Sequence, residues 1–235
     1  SAWLVELPMA ETFRSALSAM TRRQVLLIKT TAGGHEGWGE AAPVPGHTEE
    51  GIEAVWQRLC RLLETHGPDA GTKPGGMLAA AFNQATDDRA ARSNGRPLWQ
   101  HIGGGRTVAA SAAIGVGSDG QPDAGQIASA AAAGYRQLKL KVTPATSADE
   151  VAHITATYPD VEFGIDANTT LGRTERALIG ALDALGLTYI EQPGPADDLD
   201  FHANLRRELT TPVVLDEAAS TAGALERIVA AGAAD

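Results

Sequence analysis

The stretch LTYIEQP, residues 187–193, reads as a short buried strand that delivers a carboxylate, Glu191, shortly before a proline. The stretches VEFGIDAN and TPVVLDEA place Asp166 and Asp216 in the same way, and each acidic residue lies 25 positions from the next (191 − 166 and 216 − 191). Because a lone buried charge is costly, such residues usually share a partner. The pattern predicts three equivalent units, each presenting one carboxylate at a strand end.

The sequence after Gly105 alternates between strand-like and helix-like segments. The predicted strands are TVAASAAIGV, RQLKLKV, VEFGIDAN, LTYIEQP and TPVVLDEA, each followed by helical sequence. One helix opens at Ser147 with Glu150 three residues on, a capping-box signature. Repeated strand–helix units are typical of a parallel sheet, and the constant spacing favours a TIM-type barrel, whose active-site groups lie at the C-terminal strand ends. An open doubly wound sheet is the alternative.

The first 105 residues follow a different pattern. The strand-like stretches SAWLVELP and RRQVLLIKTTAGGHEGWGE precede the helical stretches TEEGIEAVWQRLCRLLETHG and MLAAAFNQATDDRAARSNG. We therefore predict an α+β domain over residues 1–105, joined through IGGGR to the first five strand–helix units of a barrel over residues 106–235. A full TIM barrel has eight such units, so we expect the chain to be part of a longer protein, truncated before the sixth strand.

Composition restricts the classes of function. The net charge is −10 and the single cysteine is Cys60. An acidic chain is a poor match for nucleic acid, and one cysteine allows no internal disulfide. The sequence has no apolar run of about 18 residues, the length that spans a bilayer, and its start lacks a signal-peptide pattern. We expect a cytoplasmic α/β protein that binds neither nucleic acid nor a membrane.

The three acidic strand ends suit a hard divalent cation. Oxygen ligands with no histidine or cysteine beside them favour Mg²⁺, which keeps coordination sites open for water and substrate, with Mn²⁺ as the expected substitute. We predict that Asp166, Glu191 and Asp216 bind this ion. The alternative is that each carboxylate caps a helix or pairs with a basic residue.

The strand LKLKV places two lysines on one face. Side chains alternate along a strand, so Leu138, Leu140 and Val142 point one way while Lys139 and Lys141 point the other. If the apolar set faces the helices, both lysines face the barrel interior, where burial and a nearby cation should lower their pKa. A neutral amine could then accept a proton. The alternative is an edge strand with two solvated lysines.

A lysine base beside Mg²⁺ suits removal of the proton α to a carboxylate, because the cation offsets the charge of the enediolate dianion. With these residues in place, the chain resembles the enolase superfamily, specifically its muconate-cycloisomerase-like subgroup (the mandelate racemase/muconate lactonizing enzyme proteins). It is most similar to the o-succinylbenzoate synthase / N-succinylamino acid racemase group. The segments that carry the resemblance include GYRQLKLKVTP, DLDFHANLRRELTTPVVLDEA, FRSALSAMTRRQVLLIK and GWGEA.

The resemblance implies an α+β capping domain followed by a modified TIM barrel. It implies that Lys141 is the catalytic base, with Lys139 as its electrostatic support, and that the three carboxylates hold Mg²⁺. It also implies that two cap loops contact the substrate. The residues expected to bind substrate are Phe13, Arg14, Ser15, His47 and Asn168. His153 and His202 lie on predicted outer helices and are expected at the surface.

The implied activity is that of a carbon–oxygen lyase, o-succinylbenzoate synthase, acting on a small-molecule carboxylate in menaquinone biosynthesis; a homo-oligomer is compatible with it. The alternatives are an N-acylamino acid (N-succinylamino acid) racemase, a dipeptide epimerase or a muconate-type cycloisomerase. Two departures from the family bear on this. Its Asp-Glu-Ser signature reads Asp216-Glu217-Ala218, and its second catalytic lysine, on the sixth barrel strand, lies beyond the sequence. An inactive fragment is therefore a further alternative.

Overall fold

The computed structural model describes residues 1–14, 19–45, 48, 50–66, 76–105, 107–117 and 119–235. The chain divides into two compact units, Ser1–Val108 and Ala109–Asp235. Both units combine helices with a sheet, and the second has the parallel sheet expected of an α/β protein. Within the described residues, no helix combines the length and apolar character needed to cross a bilayer.

The first unit is an antiparallel three-stranded sheet with helices on its buried face. Its elements are β1 (Ala2–Arg14), β2 (Ala19–Ala32), β3 (His35–Ala41), α1 (Ile52–His66), α2 (Gly76–Ser93) and α3 (Leu98–His101). The strands lie in the order β1-β2-β3. Gly33 and Gly34, both at positive φ, form the tight turn between β2 and β3. The core joins Leu26 of β2 to Val55 of α1 and Leu78 of α2.

Helix α2 approaches β3 unusually closely. The backbone N–H groups of Trp38 and Glu40 donate to the side chains of Asp88 (2.9 Å) and Gln84 (3.0 Å) on α2. These bonds satisfy donors on the free edge of the strand, which would otherwise need water. Gly37 and Gly39 alternate with these residues and face the helix backbone. The edge of β3 therefore hydrogen-bonds to α2, and the absence of side chains at the two glycines lets the backbones approach closely.

The second unit is a five-stranded parallel sheet with a helix after each strand. Its elements are β4 (Ser111–Ile114), α4 (Ala124–Ala132), β5 (Gln137–Lys141), α5 (Ala148–Thr157), β6 (Glu162–Asp166), α6 (Arg176–Asp183), β7 (Ile190–Glu191), α7 (Leu199–Glu208), β8 (Val213–Val214) and α8 (Ala222–Ala231). The strands follow one another in chain order, β4-β5-β6-β7-β8. A doubly wound sheet is defined by a point at which the strand order reverses, and the order of these five strands has no such reversal.

Three of the five α-helices in this unit begin at a short polar residue whose side chain caps the helix. Asp123, Asp198 and Thr221 accept hydrogen bonds from the backbone N–H three residues ahead, which satisfies one of the free donors at each helix start. Ser147 is also an N-cap residue, but its side chain makes no capping hydrogen bond. The backbone N–H of Ser147 instead donates to Gln121 Oε1 (2.9 Å), so the predicted capping box is wrong in its chemistry.

Asp183, the last residue of α6, fixes the start of β8. Its Oδ1 accepts from the backbone N–H of Thr211 (2.7 Å) and of Thr210 (3.0 Å). Burial alone would raise the pKa of Asp183, but these hydrogen bonds outweigh it and hold the pKa below its ordinary value. The folded state therefore favours the carboxylate over the protonated acid.

Replacing Asp183 by leucine should lower the free energy of unfolding by about 1–3 kcal/mol, because the backbone N–H groups of Thr210 and of the buried Thr211 lose their acceptor. Since the folded pKa is lowered, the wild-type advantage is present above the unfolded-state pKa and is lost as the pH falls through the folded value. Urea unfolding of the wild type and of Asp183→Leu, at pH 7 and in acid, measures the difference in their free energies of unfolding. A stability difference that grew on acidification would contradict this account.

Candidate active site

The predicted acidic strand ends lie on adjacent strands of the parallel sheet. Lys141 of β5 is in register with Asp166 of β6, and Asp166 is in register with Glu191 of β7. Glu191 is in register with Val214 of β8, two residues before Asp216. Because side chains alternate along a strand, this register brings the acidic positions to one edge and one face of the sheet. The regular spacing in the sequence thus corresponds to one step across the sheet.

Lys139 joins two of these carboxylates. Its Nζ lies 2.9 Å from Glu191 Oε1 and 3.1 Å from Asp166 Oδ2. Asp166 is almost fully buried, at 1% exposure, whereas the Lys139 side chain keeps 26%. Two carboxylates from neighbouring strands therefore converge on one positive charge.

Lys141 is held on the other side of the same carboxylate. Its Nζ lies 3.4 Å from Asp166 Oδ2 and donates a hydrogen bond to Asn168 Oδ1. The Asn168 amide also donates to Glu217 Oε1 (3.1 Å), and its backbone N–H donates to Asp166 Oδ1 (2.9 Å). Asn168 thus fixes the orientation of both the amine and the carboxylate.

Burial and the charges at this edge together shift the pKa values of Lys139 and Glu191. Burial lowers the pKa of Lys139, but its hydrogen bond to Glu191 and the charge of Asp166 outweigh burial, and the net pKa is raised. Burial also raises the pKa of Glu191, opposed by the hydrogen bond from Lys139 and reinforced by the charges of Asp166 and Asp216. The expectation that burial gives Lys139 a lowered pKa is therefore wrong in this structure, because two carboxylates contact its ammonium group.

Asp216 completes the acidic set less closely. Its side chain is exposed, although its charge is near enough to act on the pKa of Glu191. In the part of the chain that the structure describes, no three His, Cys, Asp or Glu side chains are close enough to hold a metal ion as they stand. The donor chemistry nevertheless fits a hard cation, because Asp166 and Glu191 already share one positive charge through their oxygens. Magnesium binding by all three stays a prediction.

The predicted substrate contacts are only partly described. Ser15 and His47 lie outside the described residues, and Phe13 and Arg14 lie in β1 of the first unit. Asn168 is buried and bonded to Lys141, which is the arrangement of a residue that orients the amine. Its role in binding substrate stays a prediction.

Sequence reasoning missed three residues beside this edge. Gln192 follows Glu191 and is fully buried, as is His202 of α7 behind it. The expected surface position of His202 is therefore wrong. Glu217 turns inward, with its Oε2 buried and without a hydrogen-bond partner among the described residues. The polar pair Glu191-Gln192 at the end of a buried strand was the one available signal.

Backbone strain concentrates at the same place. The described residues other than glycine with positive φ are Asn168 (42°), Thr169 (69°) and Gln192 (39°). Such conformations cost free energy, most of all for β-branched threonine, and they persist where surrounding contacts impose them, commonly at functional sites. All three follow the strands β6 and β7 that carry the central carboxylates.

Comparisons with known proteins agree on one group. Residues 123–235 match the family model described as Enolase C-terminal domain-like. The chain is 31% identical to an N-succinylamino acid racemase of Thermus thermophilus, over 98% of this chain and 67% of that protein. It is 30% identical to an o-succinylbenzoate synthase of Geobacillus stearothermophilus, over 87% of this chain and 59% of that protein.

Solved structures give the same result. The structure of a probable mandelate racemase from Alicyclobacillus acidocaldarius superimposes with a TM-score of 0.81 at 30% identity, covering 99% of this chain and 67% of that one. The chain thus spans between 59% and 67% of the length of these three proteins.

Proposed function

Because this chain belongs to the enolase superfamily, we propose that it removes the proton α to a carboxylate with the help of Mg²⁺, as an o-succinylbenzoate synthase. The observation that carries the proposal is the convergence of Lys139 and Lys141 on Asp166, with Glu191 on the next strand. A small-molecule carboxylate is the proposed substrate class, and the place of the reaction is menaquinone biosynthesis.

Lys141 is the proposed base. Its amine is oriented by the hydrogen bond that it donates to Asn168 Oδ1. The nearest oxygen of Asp166 lies 3.4 Å away, so the amine is held in position without a short ion pair to that carboxylate. In its neutral form Nζ takes the α-proton of the substrate. Lys139 differs, because its ammonium is engaged by two carboxylates and its pKa is raised. This contrast supports Lys141 as the proposed base and Lys139 as its proposed electrostatic support.

Asp166, Glu191 and Asp216 are the proposed ligands of the cation. When bound, Mg²⁺ supplies positive charge that offsets the negative charge developing on the substrate carboxylate. In this structure Lys139 is ion-paired with two of the three carboxylates, so its ammonium contacts oxygens that would also bind the cation. Its single positive charge offsets only part of the negative charge of the acidic set, which leaves charge for a divalent cation to offset.

The proposed dehydration balances without any further reactant. The α C–H bond breaks and its proton passes to Lys141, while the electron pair forms the enediolate of the substrate carboxylate. The ring C–O bond then breaks, and the hydroxide leaves as water with the proton that Lys141 has accepted, which returns Lys141 to its neutral form. The ring becomes aromatic, which drives the reaction forward.

Racemisation of N-succinylamino acids is the second candidate. It is favoured by the similarity, over 98% of this chain, to the Thermus thermophilus racemase. The first half of the reaction is the same abstraction by Lys141. Racemisation also needs a second base on the opposite face of the α-carbon.

Two assays on one protein preparation distinguish the candidates. We expect Mg²⁺-dependent loss of water from the cyclohexadienyl substrate, and the absorbance of the aromatic product measures its rate. Deuterium incorporation at Cα of an N-succinylamino acid in D₂O, without dehydration, would favour the racemase. A folded, magnesium-loaded protein that catalyses neither reaction would contradict both assignments.

A further inference from the structure

Gln192 connects three strand ends through its backbone. Its N–H donates to the Val214 carbonyl of β8 (2.8 Å), and its own carbonyl accepts from the N–H of Thr169 beyond β6 (3.0 Å). The residue itself follows Glu191 on β7 and adopts φ 39°, a strained value for a residue other than glycine. The surrounding contacts must therefore hold it in place.

The side chain of Gln192 holds the loop that carries the third carboxylate. Its Oε1 accepts from the backbone N–H of Asp216 and of Ala218, each at 3.1 Å. Its Nε2 donates to the Gly194 carbonyl (3.0 Å). The two donors facing Oε1 fix which way the amide points, because an inverted amide would set N–H against N–H. Gln192 is 0% exposed, so water does not replace these bonds.

His202 supports this arrangement from behind. It is 0% exposed, and its Nε2 accepts from the Gly194 N–H (3.3 Å) and lies 3.5 Å from Gln192 Nε2. Burial lowers the pKa of His202, so the imidazole is neutral at pH 7 and able to act as an acceptor there. The Gly194 turn thus has its N–H bound by His202 and its carbonyl bound by Gln192.

We propose that Gln192 is a positioning residue that fixes the Asp216–Ala218 loop against the Glu191 strand end and thereby sets the affinity of the site for a divalent cation. The proposal rests on the assignment of Asp166, Glu191 and Asp216 as cation ligands. Asp216 is exposed. The hydrogen bond from its backbone N–H to Gln192 Oε1 is one of the contacts that attach it to the end of β7. Without that bond Asp216 must be ordered by the cation itself, which weakens binding.

Two substitutions test the proposal in different ways. Gln192→Met keeps the length of the side chain and removes its polar atoms. Gln192→Asn keeps the amide but shortens it by one methylene, and asparagine tolerates positive φ, so the backbone is preserved. Each should raise the Kd for Mg²⁺ about 10- to 100-fold, the usual effect of losing a group that orients a metal ligand.

The matched control is Asp183→Leu. Asp183 also accepts from two backbone N–H groups next to β8, but at the opposite end of that strand. All three variants should be less stable than the wild type, whereas only the Gln192 variants should lose Mg²⁺ affinity in isothermal titration calorimetry. In addition, excess Mg²⁺ should restore turnover in the Gln192 variants, since their defect lies in binding the ion.

The outcomes separate the inference from the proposed function. If the wild type binds Mg²⁺ and both Gln192 variants bind it within about threefold of the wild type, well short of the usual loss, the positioning role is wrong and the proposed function stands. If the wild type itself binds no Mg²⁺, the assignment of the three carboxylates as ligands is wrong, and the positioning role of Gln192 is wrong as well. Should Gln192→Met fail to fold, Gln192→Asn carries the comparison.

Discussion

Substitution of Lys141 by alanine is expected to reduce proton exchange at the substrate α-carbon by about 10²- to 10⁴-fold, the usual contribution of a general base. The Lys141 amine lies beside Asp166 and is oriented by the amide of Asn168. The Lys139 amine is instead bound between two carboxylates. Removing it leaves the acidic residues in place, so the Kd for Mg²⁺ should not increase. The loss of a nearby positive charge should, if anything, strengthen cation binding.

The measurement is deuterium incorporation from D₂O at saturating Mg²⁺, with calorimetric titration of the ion. Lys29→Ala is a suitable control, because Lys29 is also an ion-paired lysine, bonded to Glu36 at 2.7 Å in the first unit. The control should exchange protons at the wild-type rate. If Lys141→Ala also did so while retaining its fold, Lys141 would not be the base. Unlike the Gln192 variants, Lys141→Ala should stay inactive in excess Mg²⁺.

Local patterns in the sequence were sufficient to predict the part of the site that follows from strand geometry. The alternation in LKLKV predicts one buried apolar face, and Leu138 and Leu140 are 1% and 0% exposed. The equal spacing of the acidic residues predicts adjacent strand ends, and Asp166 and Glu191 are in register. Such inferences succeed because side-chain direction and strand order are local consequences of the backbone.

Tertiary contacts were beyond the reach of the same reasoning. His202 lies on a polar helix, but it is buried and its Nε2 accepts a hydrogen bond from the Gly194 N–H, eight residues earlier in the chain. The raised pKa of Lys139 depends on two carboxylates 27 and 52 residues away (166 − 139 and 191 − 139). The Ser147 backbone bonds to Gln121, which no capping pattern contains. In each case a partner distant in sequence decides the outcome.

The close approach of α2 to β3 leads to the largest expected effect on stability. A Cβ atom on Gly39 would lie 1.8 Å from the carbonyl oxygen of Ala81, and one on Gly37 would lie 2.1 Å from that of Ala85. Real Cβ atoms do not approach a backbone oxygen so closely, and a carbonyl within a helix cannot rotate away. Gly39→Ala must therefore move the helix away from the strand.

That movement would also stretch the hydrogen bonds from Trp38 and Glu40 to the side chains of α2. We expect Gly39→Ala to cost about 3 kcal/mol of unfolding free energy, the upper end for overpacked sites, and to open the first unit to proteolysis. Gly105→Ala is the matched control, because the nearest atom to a Cβ there is the Thr107 carbonyl oxygen at 3.8 Å, an ordinary van der Waals contact, and it should change stability by less than about 0.5 kcal/mol. Equal urea midpoints for the two variants would mean that α2 can withdraw from β3 at little cost, and the glycines would then not be required by packing.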